Sequence, residues 1–209
     1  MSVTTPPQDT ETNPDVSLTW SPEIDDMLAT WCDKAKCFEW MHTEAFALFD
    51  TRSKQFMITV NCLTAVSGLS NVIAGGFTVN GFQLAWIFGG ISIAASTLNM
   101  LQDKLGYQSS SHLHMKLAGD WSNIKSRIEE VVSIPYGGRK DCKTFLRYIR
   151  DDIGKASSSG NSLIPEHIRI ACYEKFKDIP SFEVPDVCGR PEHTKIYVKD
   201  AAREPLLSR

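Results

Sequence analysis

Between Lys54 and Asp103 the chain runs for 48 residues without an Asp, Glu, Lys, Arg or His, although charged residues make up 22% of its 209 positions. A hydrocarbon core ~30 Å thick is crossed by about 20 mostly apolar helical residues. The gap therefore has the length of two crossings and a short turn. The first expected span is 56–75, FMITVNCLTAVSGLSNVIAG, and the second is 81–101, GFQLAWIFGGISIAASTLNML. Gly76 to Asn80 link them as turn material, since Gly and Asn accept positive φ.

The competing reading is a helical hairpin buried in a soluble bundle. Asn61, Ser67, Ser70, Asn71, Ser92, Ser96 and Asn99, with a mean hydropathy of -0.19 for the whole chain, keep it open. Against it, helices of a soluble domain carry a polar face, and these two stretches have almost none. Small residues also recur four apart, as in Asn61 and Ala65, Ala85 and Gly89, Gly90 and Ala94, Ser92 and Ser96. In lipid that spacing lets backbones approach and hydroxyls or amides bond across the interface. Asn61, Ala65, Gly68, Ala85, Gly89, Gly90 and Ser92 are thus the candidate positions for helix–helix packing in a membrane.

At 23.3 kDa the chain has room for one modest domain and its tails. A net charge of -3 and a pI near 6.0 point away from a nucleic-acid partner. Residues 1–20 are polar and rich in Pro and Thr, with neither the basic start nor the apolar core of a signal peptide; a disordered arm is expected there. Six cysteines lie scattered without a C-x-x-C pair, so reduced thiols are expected in place of a disulfide framework or zinc site. No N-x-S/T sequon occurs.

Two spans return the chain to the side it left. Arg52 and Lys54 precede the first, Lys104 and Lys116 follow the second, and the tip is uncharged. The positive-inside tendency then places both termini on the cytosolic side. The rest, 21–54 and 103–178, reads as a helical body. Ser21 and Pro22 open a helix whose first turn holds Glu23, Asp25 and Asp26. Ile24, Met27, Leu28, Trp31, Ala35, Phe38, Met41, Ala45, Leu48 and Phe49 follow in steps of three and four. Leu113, Leu117, Trp121, Ile124, Ile128 and Val131 repeat the pattern until Pro135 and Gly137. Two shorter helices are expected, one from Cys142 to the Ser157–Gly160 run and one from Pro165 to Pro180. The fold class is all-α, and 179–209 reads as an extended or disordered tail.

Chemistry-bearing motifs are sparse. His112 and His114 are two apart and point to different sides of a helix. His42 beside Glu39 and Glu44 fits a solvated or interfacial helix face better than a metal or acid–base site. Tyr136 to Lys140 lacks the phosphate-loop pattern and reads as a basic turn, with Arg139 and Lys140 as candidate contacts for lipid phosphate or an acidic partner. No nucleophile elbow, H-E-x-x-H or paired catalytic carboxylate is present, so no enzyme, metal or cofactor is expected. Trp86 falls near the tip-side end of the second span, where an interfacial anchor belongs.

The order of elements, with Trp31, Asp33, Lys34, Ala35, Cys37, Trp40 and His42 on the first helix, then Leu63 to Gly68, Arg139 and Leu163-Ile164-Pro165, resembles the SLATT-like two-transmembrane proteins of large nucleocytoplasmic DNA viruses. The resemblance covers about residues 20–178 and brings no catalytic residues. It implies a structural component of a virion internal membrane or of the layer joining that membrane to the capsid, with lipid and capsid-associated proteins as partners. Bacterial SLATT modules imply the alternative, a homo-oligomeric pore or membrane-perturbing effector.

Overall fold

The computed structural model describes residues 18–73, 78–79 and 82–189, and side chains within that set outside 69–85. Its first helix, α1 (Pro22–Ile73), is 52 residues long and runs without a break from the body into the hairpin. Pro22 lacks the N–H a first-turn position would waste. The Ser21 carbonyl accepts from Ile24 N and Asp25 N, both at 3.1 Å. Two-residue strands, β1 (Thr78–Val79) and β2 (Phe82–Gln83), pair antiparallel at the tip, Thr78 opposite Gln83. The return arm is α2 (Leu84–Leu105), and α3 (Tyr107–Ser133) continues it. Helix therefore begins at Leu84 and not at Gly81, because the strand pair takes up the intervening residues.

Gly106 separates α2 from α3 with φ 59° and ψ 26°, a left-handed conformation that costs a residue with a Cβ but not glycine. Across that break the two helices line up along α1 in the opposite direction. Partners step down regularly: Ser67 with Ser92, Phe56 with Tyr107, His42 with His114, Phe38 with Trp121, Glu39 with Lys125, Lys36 with Glu129 and Asp25 with Arg139. The long helix is thus a ruler against which the rest of the chain is laid.

The core lies in the half of α1 away from the tip. Leu28, Ala35, Phe38, Met41 and Ala45 of α1 are buried against Trp121, Ile124 and Ile128 of α3. Phe38 and Trp121 stack with centroids 4.7 Å apart and planes at 17°, a geometry that adds about 1 kcal/mol to the area they bury. Helices α4 (Cys142–Gly160) and α5 (Glu166–Phe176) close the body with Leu146, Ile149, Ile168 and Cys172. Asp141 caps α4, its carboxylate accepting from Thr144 N at 2.8 Å, and hydrogen bonds from the Thr144 hydroxyl and, after it, the Thr144 N–H hold the carboxyl below the usual range.

Two expectations change at the ends of the body. Residues 180–189 do not stand free as a tail: Phe182, Val184 and Val187 pack against the core, and Phe182 stacks on Phe176 at 5.0 Å. Apolar side chains at those positions make burial worth more than chain freedom. At the other end Trp20 belongs to the body, donating from Nε1 to Lys140 O at 2.8 Å and packing on Phe145. The outer parts of both expected tails, 1–17 and 190–209, lie outside the described residues.

Arg139 is likewise no surface cation. Its side chain is only 3% exposed and forms a salt bridge with Asp25 at 2.5 Å. Nε donates to Ile134 O at 2.6 Å and Nη2 to Val132 O at 3.1 Å, while the guanidinium lies over the rings of Trp20 and Tyr136. The fork closes the loop after α3 onto the start of α1, which leaves Lys140 as the exposed member of the basic pair. Arg139→Ala would strand Asp25 and two carbonyls, so it should lower unfolding free energy by roughly 3 kcal/mol. Arg139→Lys should recover only part, because an ammonium cannot reproduce the fork. Denaturant titration of the helical circular-dichroism signal checks both.

Candidate functional site

Two features stand apart from ordinary packing: the surface of the hairpin and a polar cluster sealed inside the body. Beyond Phe56 the arms of α1 and α2 touch chiefly each other. Val60, Ser67 and Ala95 are buried between them, and the hydroxyls of Ser67 and Ser92 are hydrogen-bonded across the seam. The outward faces are largely apolar. Met57, Ile58, Val66, Trp86, Ile87, Ile93 and Met100 are all exposed, Ile93 by 71% and Trp86 by 75%. Thr59 and Thr97 turn their hydroxyls onto the carbonyls of Gln55 and Ile93 at 2.9 Å, so neither seeks water. Among the described residues the hairpin is therefore not buried in the body, and its outward apolar side chains have no cover.

Of the residues expected at helix–helix contacts, Ser92 faces the opposite arm. Asn61, Ala65, Gly68, Gly89 and Gly90 lie on the hairpin's outer faces, and a Cβ added at Gly68, Gly89 or Gly90 would meet nothing within 4 Å. Close approach inside the hairpin thus does not need them; Val60, Ser67 and Ala95 make it instead. The side chain of Ala85 is outside the described set. Among the described residues no helix is long and apolar enough to cross a membrane. The two stretches read as spans run into the tip, 69–85, where side chains are not described.

The buried cluster was not expected. His42 is 0% exposed, where its neighbours Glu39 and Glu44 had argued for a solvated face. Its Nδ1 lies 2.8 Å from Nδ1 of His114, itself 1% exposed, and its Nε2 lies 3.4 Å from Asn161 Oδ1. An N–H at Nε2 pointing to the Asn161 oxygen leaves Nδ1 of His42 to accept the Nδ1–H of His114, so both rings are neutral. Phe49 stacks flat on His114 at 5.4 Å. Gly160 comes so close that a Cβ there would overlap Leu117 Cδ1 and sit 3.9 Å from His42 Cε1. His112 is exposed, on the other side of α3 as its spacing requires.

A second enclosed group joins α1 to the end of the body. Cys172 Sγ points at Cys37 O at 4.0 Å and Cys188 Sγ at Met41 Sδ at 3.8 Å. The bond with Cys188 favours the Cys172 thiolate, but the Cys37 side chain and burial outweigh it and push the thiol up to about 12. The bond with Cys172, together with burial, raises Cys188 as well. Protonated, enclosed thiols are poor nucleophiles. All six cysteines are free, and Cys62 is exposed on the hairpin. Among the described residues no three His, Cys, Asp or Glu side chains converge to hold a metal ion.

No family model, curated protein or solved structure matches the chain. Any reading of its function rests on these features and on the sequence.

Burial, the larger effect, and the neighbouring His114 lower the His42 pKa from 6.5 to about 4, against a smaller opposing contribution from Asn161. A His with a depressed native pKa stabilises the fold fully above its unfolded value. That contribution is lost as pH falls from about 6.5 towards 4, since the unfolded chain takes up the proton first. The shift corresponds to a loss on the order of 3 kcal/mol across the window. His42→Gln should flatten the fall in unfolding free energy between pH 6.5 and 5, measured against the unaltered chain.

Proposed function

We propose that this chain is a non-enzymatic membrane anchor: the hairpin inserts into a bilayer from one side and the helical body stays outside as a docking platform. The observation that carries the reading is the hairpin's exposed apolar surface within a stretch, 55–102, that has no Asp, Glu, Lys, Arg or His. Residues 55–73 of α1 are 19 in number, hence about 28 Å of helix, close to the ~30 Å hydrocarbon thickness. Aromatic rings mark both ends. Phe56 and Tyr107 pack at the base at 5.7 Å, and Trp86 stands out near the tip. The 21 steps from Trp86 to Tyr107 correspond to about 32 Å of helical rise, the spacing of two interfacial belts. Arg52, Lys54, Lys104 and Lys116 sit on the body side, which favours a cytosolic body and termini. In the setting that the SLATT-like resemblance implies, the partners of the platform are capsid-associated proteins and the membrane is internal to a virion.

A second reading has its own support. Asn61, Ser96 and Asn99 face outward from the hairpin, and in lipid such groups are satisfied by a neighbouring helix. Copies of the chain would then associate through these faces, with Gly68, Gly89 and Gly90 allowing close approach, and a pore-forming oligomer becomes the alternative to a purely structural anchor. Ionic conductance in liposomes holding purified protein would decide for the pore; a sealed bilayer with oligomers present leaves the anchor.

Membranes from cells expressing the chain should retain it through alkaline carbonate extraction. Ile93→Arg, at a fully outward position, replaces a favourable residue by one costing roughly 3 kcal/mol at mid-membrane and should shift a large share to the supernatant. Complete release of the unaltered chain would sink the anchor reading and the pore together. Asn61→Leu should lower the oligomeric fraction in mild detergent while leaving extraction unchanged.

A further inference from the structure

On α4, Lys143, Arg147, Arg150, Gly154 and Ser158 follow in steps of four, three, four and four, and all are exposed. Such steps place them in one stripe along the helix. Leu18, 44% exposed, and Leu146 flank the stripe, and together they line a groove of about 710 Å³. The charges in it are not balanced. Lys155 is bridged to Asp151 at 2.5 Å, and Lys143 has Asp141 close by. Arg147 and Arg150 form no ion pair among the described residues. Gly154 is the second anomaly. Glycine inside a helix is destabilising relative to alanine, yet a Cβ at this position would meet nothing within 4 Å. The described chain makes no use of the space that the glycine leaves.

We propose that this groove docks an amphipathic helix of a partner protein, one edge of which carries acidic residues. From Lys143 to Ser158 the open stripe rises about 22 Å, which a partner helix of about 15 residues matches. Carboxylates three or four apart on that helix meet Arg147 and Arg150, whose planar forks take them bidentately. Its apolar side chains lie against Leu18 and Leu146 and enter the space over Gly154. Lipid headgroups offer the same charge, but the position of the stripe argues against them. Helix α4 starts beside Trp20 and ends level with His42. From His42 to Gln55, where the charge-free stretch begins, α1 rises about 20 Å. The headgroup layer is only about 6 Å deep beyond the hydrocarbon, and Arg147 and Arg150 stand further out still. The proposal names a partner for the docking platform, and it rests on the anchor reading for the choice of protein over lipid.

The test uses the full chain in micelles of an uncharged detergent. The probe is a synthetic helical peptide with leucines every three or four residues, a glutamate edge and a photo-crosslinking residue. Crosslink yield should saturate with peptide concentration, and mass mapping should place the links on Leu18 and residues 143–158. A counterpart with lysine for each glutamate, and a scrambled peptide of the original composition, should each need roughly tenfold more to reach the same yield. Arg147→Glu with Arg150→Glu should reverse the preference between the glutamate and lysine peptides. Gly154→Phe, which fills the groove and leaves its charges intact, should abolish saturation while the helical circular-dichroism signal is kept. Links elsewhere on the body, equal yields from helical and scrambled peptides, or a preference indifferent to the arginine reversal would overturn the proposal. So would displacement of the peptide by an equal concentration of soluble short-chain phosphatidylserine, which would make the groove a headgroup site. Carbonate extraction reports on the anchor separately, since neither variant alters the hairpin.

Discussion

Phe38 and Trp121 stack at the centre of an antiparallel seam whose alignment every other element follows. On α1, Leu28, Ala35, His42 and Phe49 are seven apart, and on α3 Tyr107, His114, Trp121 and Ile128 are seven apart. A seven-residue repeat keeps one stripe of a helix facing its partner. Where the stripe is apolar it buries a core, and α4 and α5 then cover what the pair leaves open. Trp121 carries a cost within this arrangement, since its buried Nε1 has no hydrogen-bond partner among the described residues. A lost bond of this kind costs about 1–3 kcal/mol, and full burial of so large a side chain beside a stacked ring offsets it.

The same seam explains why the helical body was readable from sequence. The apolar positions expected on the first helix, from Ile24 to Phe49, are the ones that pack, and Leu117, Trp121, Ile124 and Ile128 are buried as their spacing requires. Helix ends were legible where Pro22, Pro135 and Pro165 punctuate the chain. Contacts set by the third dimension were not. Arg139 looked like a free cation because Asp25 lies 114 positions away. His42 looked solvated because local neighbours were weighed above its place in the stripe. Its position at one repeat and that of His114 at another were the available signal for a buried pair. Phe182 and Val187 were lost in a stretch whose prolines drew it towards disorder.

Along α1 the surroundings change while the helix does not. Up to about residue 50 one face is packed and the other charged, the pattern of a helix in water. Past Phe56 the charges stop, and both inward and outward faces are apolar with scattered hydroxyls and amides. Two helices alone cannot cover such a surface, because each can bury only the strip that faces the other. The transition falls at one level on both arms: Asp50, Arg52 and Lys54 stop on α1 opposite Asp103 and Lys104 at the end of α2. Gly106 breaks the returning arm at that level, so the hairpin and the body meet at a joint in one strand of the seam and at a continuous helix in the other.

That asymmetry makes register the quantity the body must fix. If α3 slipped by one repeat along α1, apolar residues would still meet apolar residues, and area alone would barely object. The histidines object. His42 would face Tyr107 or Trp121, and two buried imidazoles would each lose a partner, at about 1–3 kcal/mol for every group left unmade. Lys125 and Lys36 would lose Glu39 and Glu129 as well, a smaller effect for partly exposed pairs. Because α2 is joined to α3 through the single residue Gly106, a fixed register on the body side also fixes which residues meet in the hairpin. Ser67 then finds Ser92 there, and two hydroxyls among apolar side chains satisfy each other. A buried polar pair about 25 residues from that seam along α1 thereby decides a contact that hydrophobic packing alone would leave open.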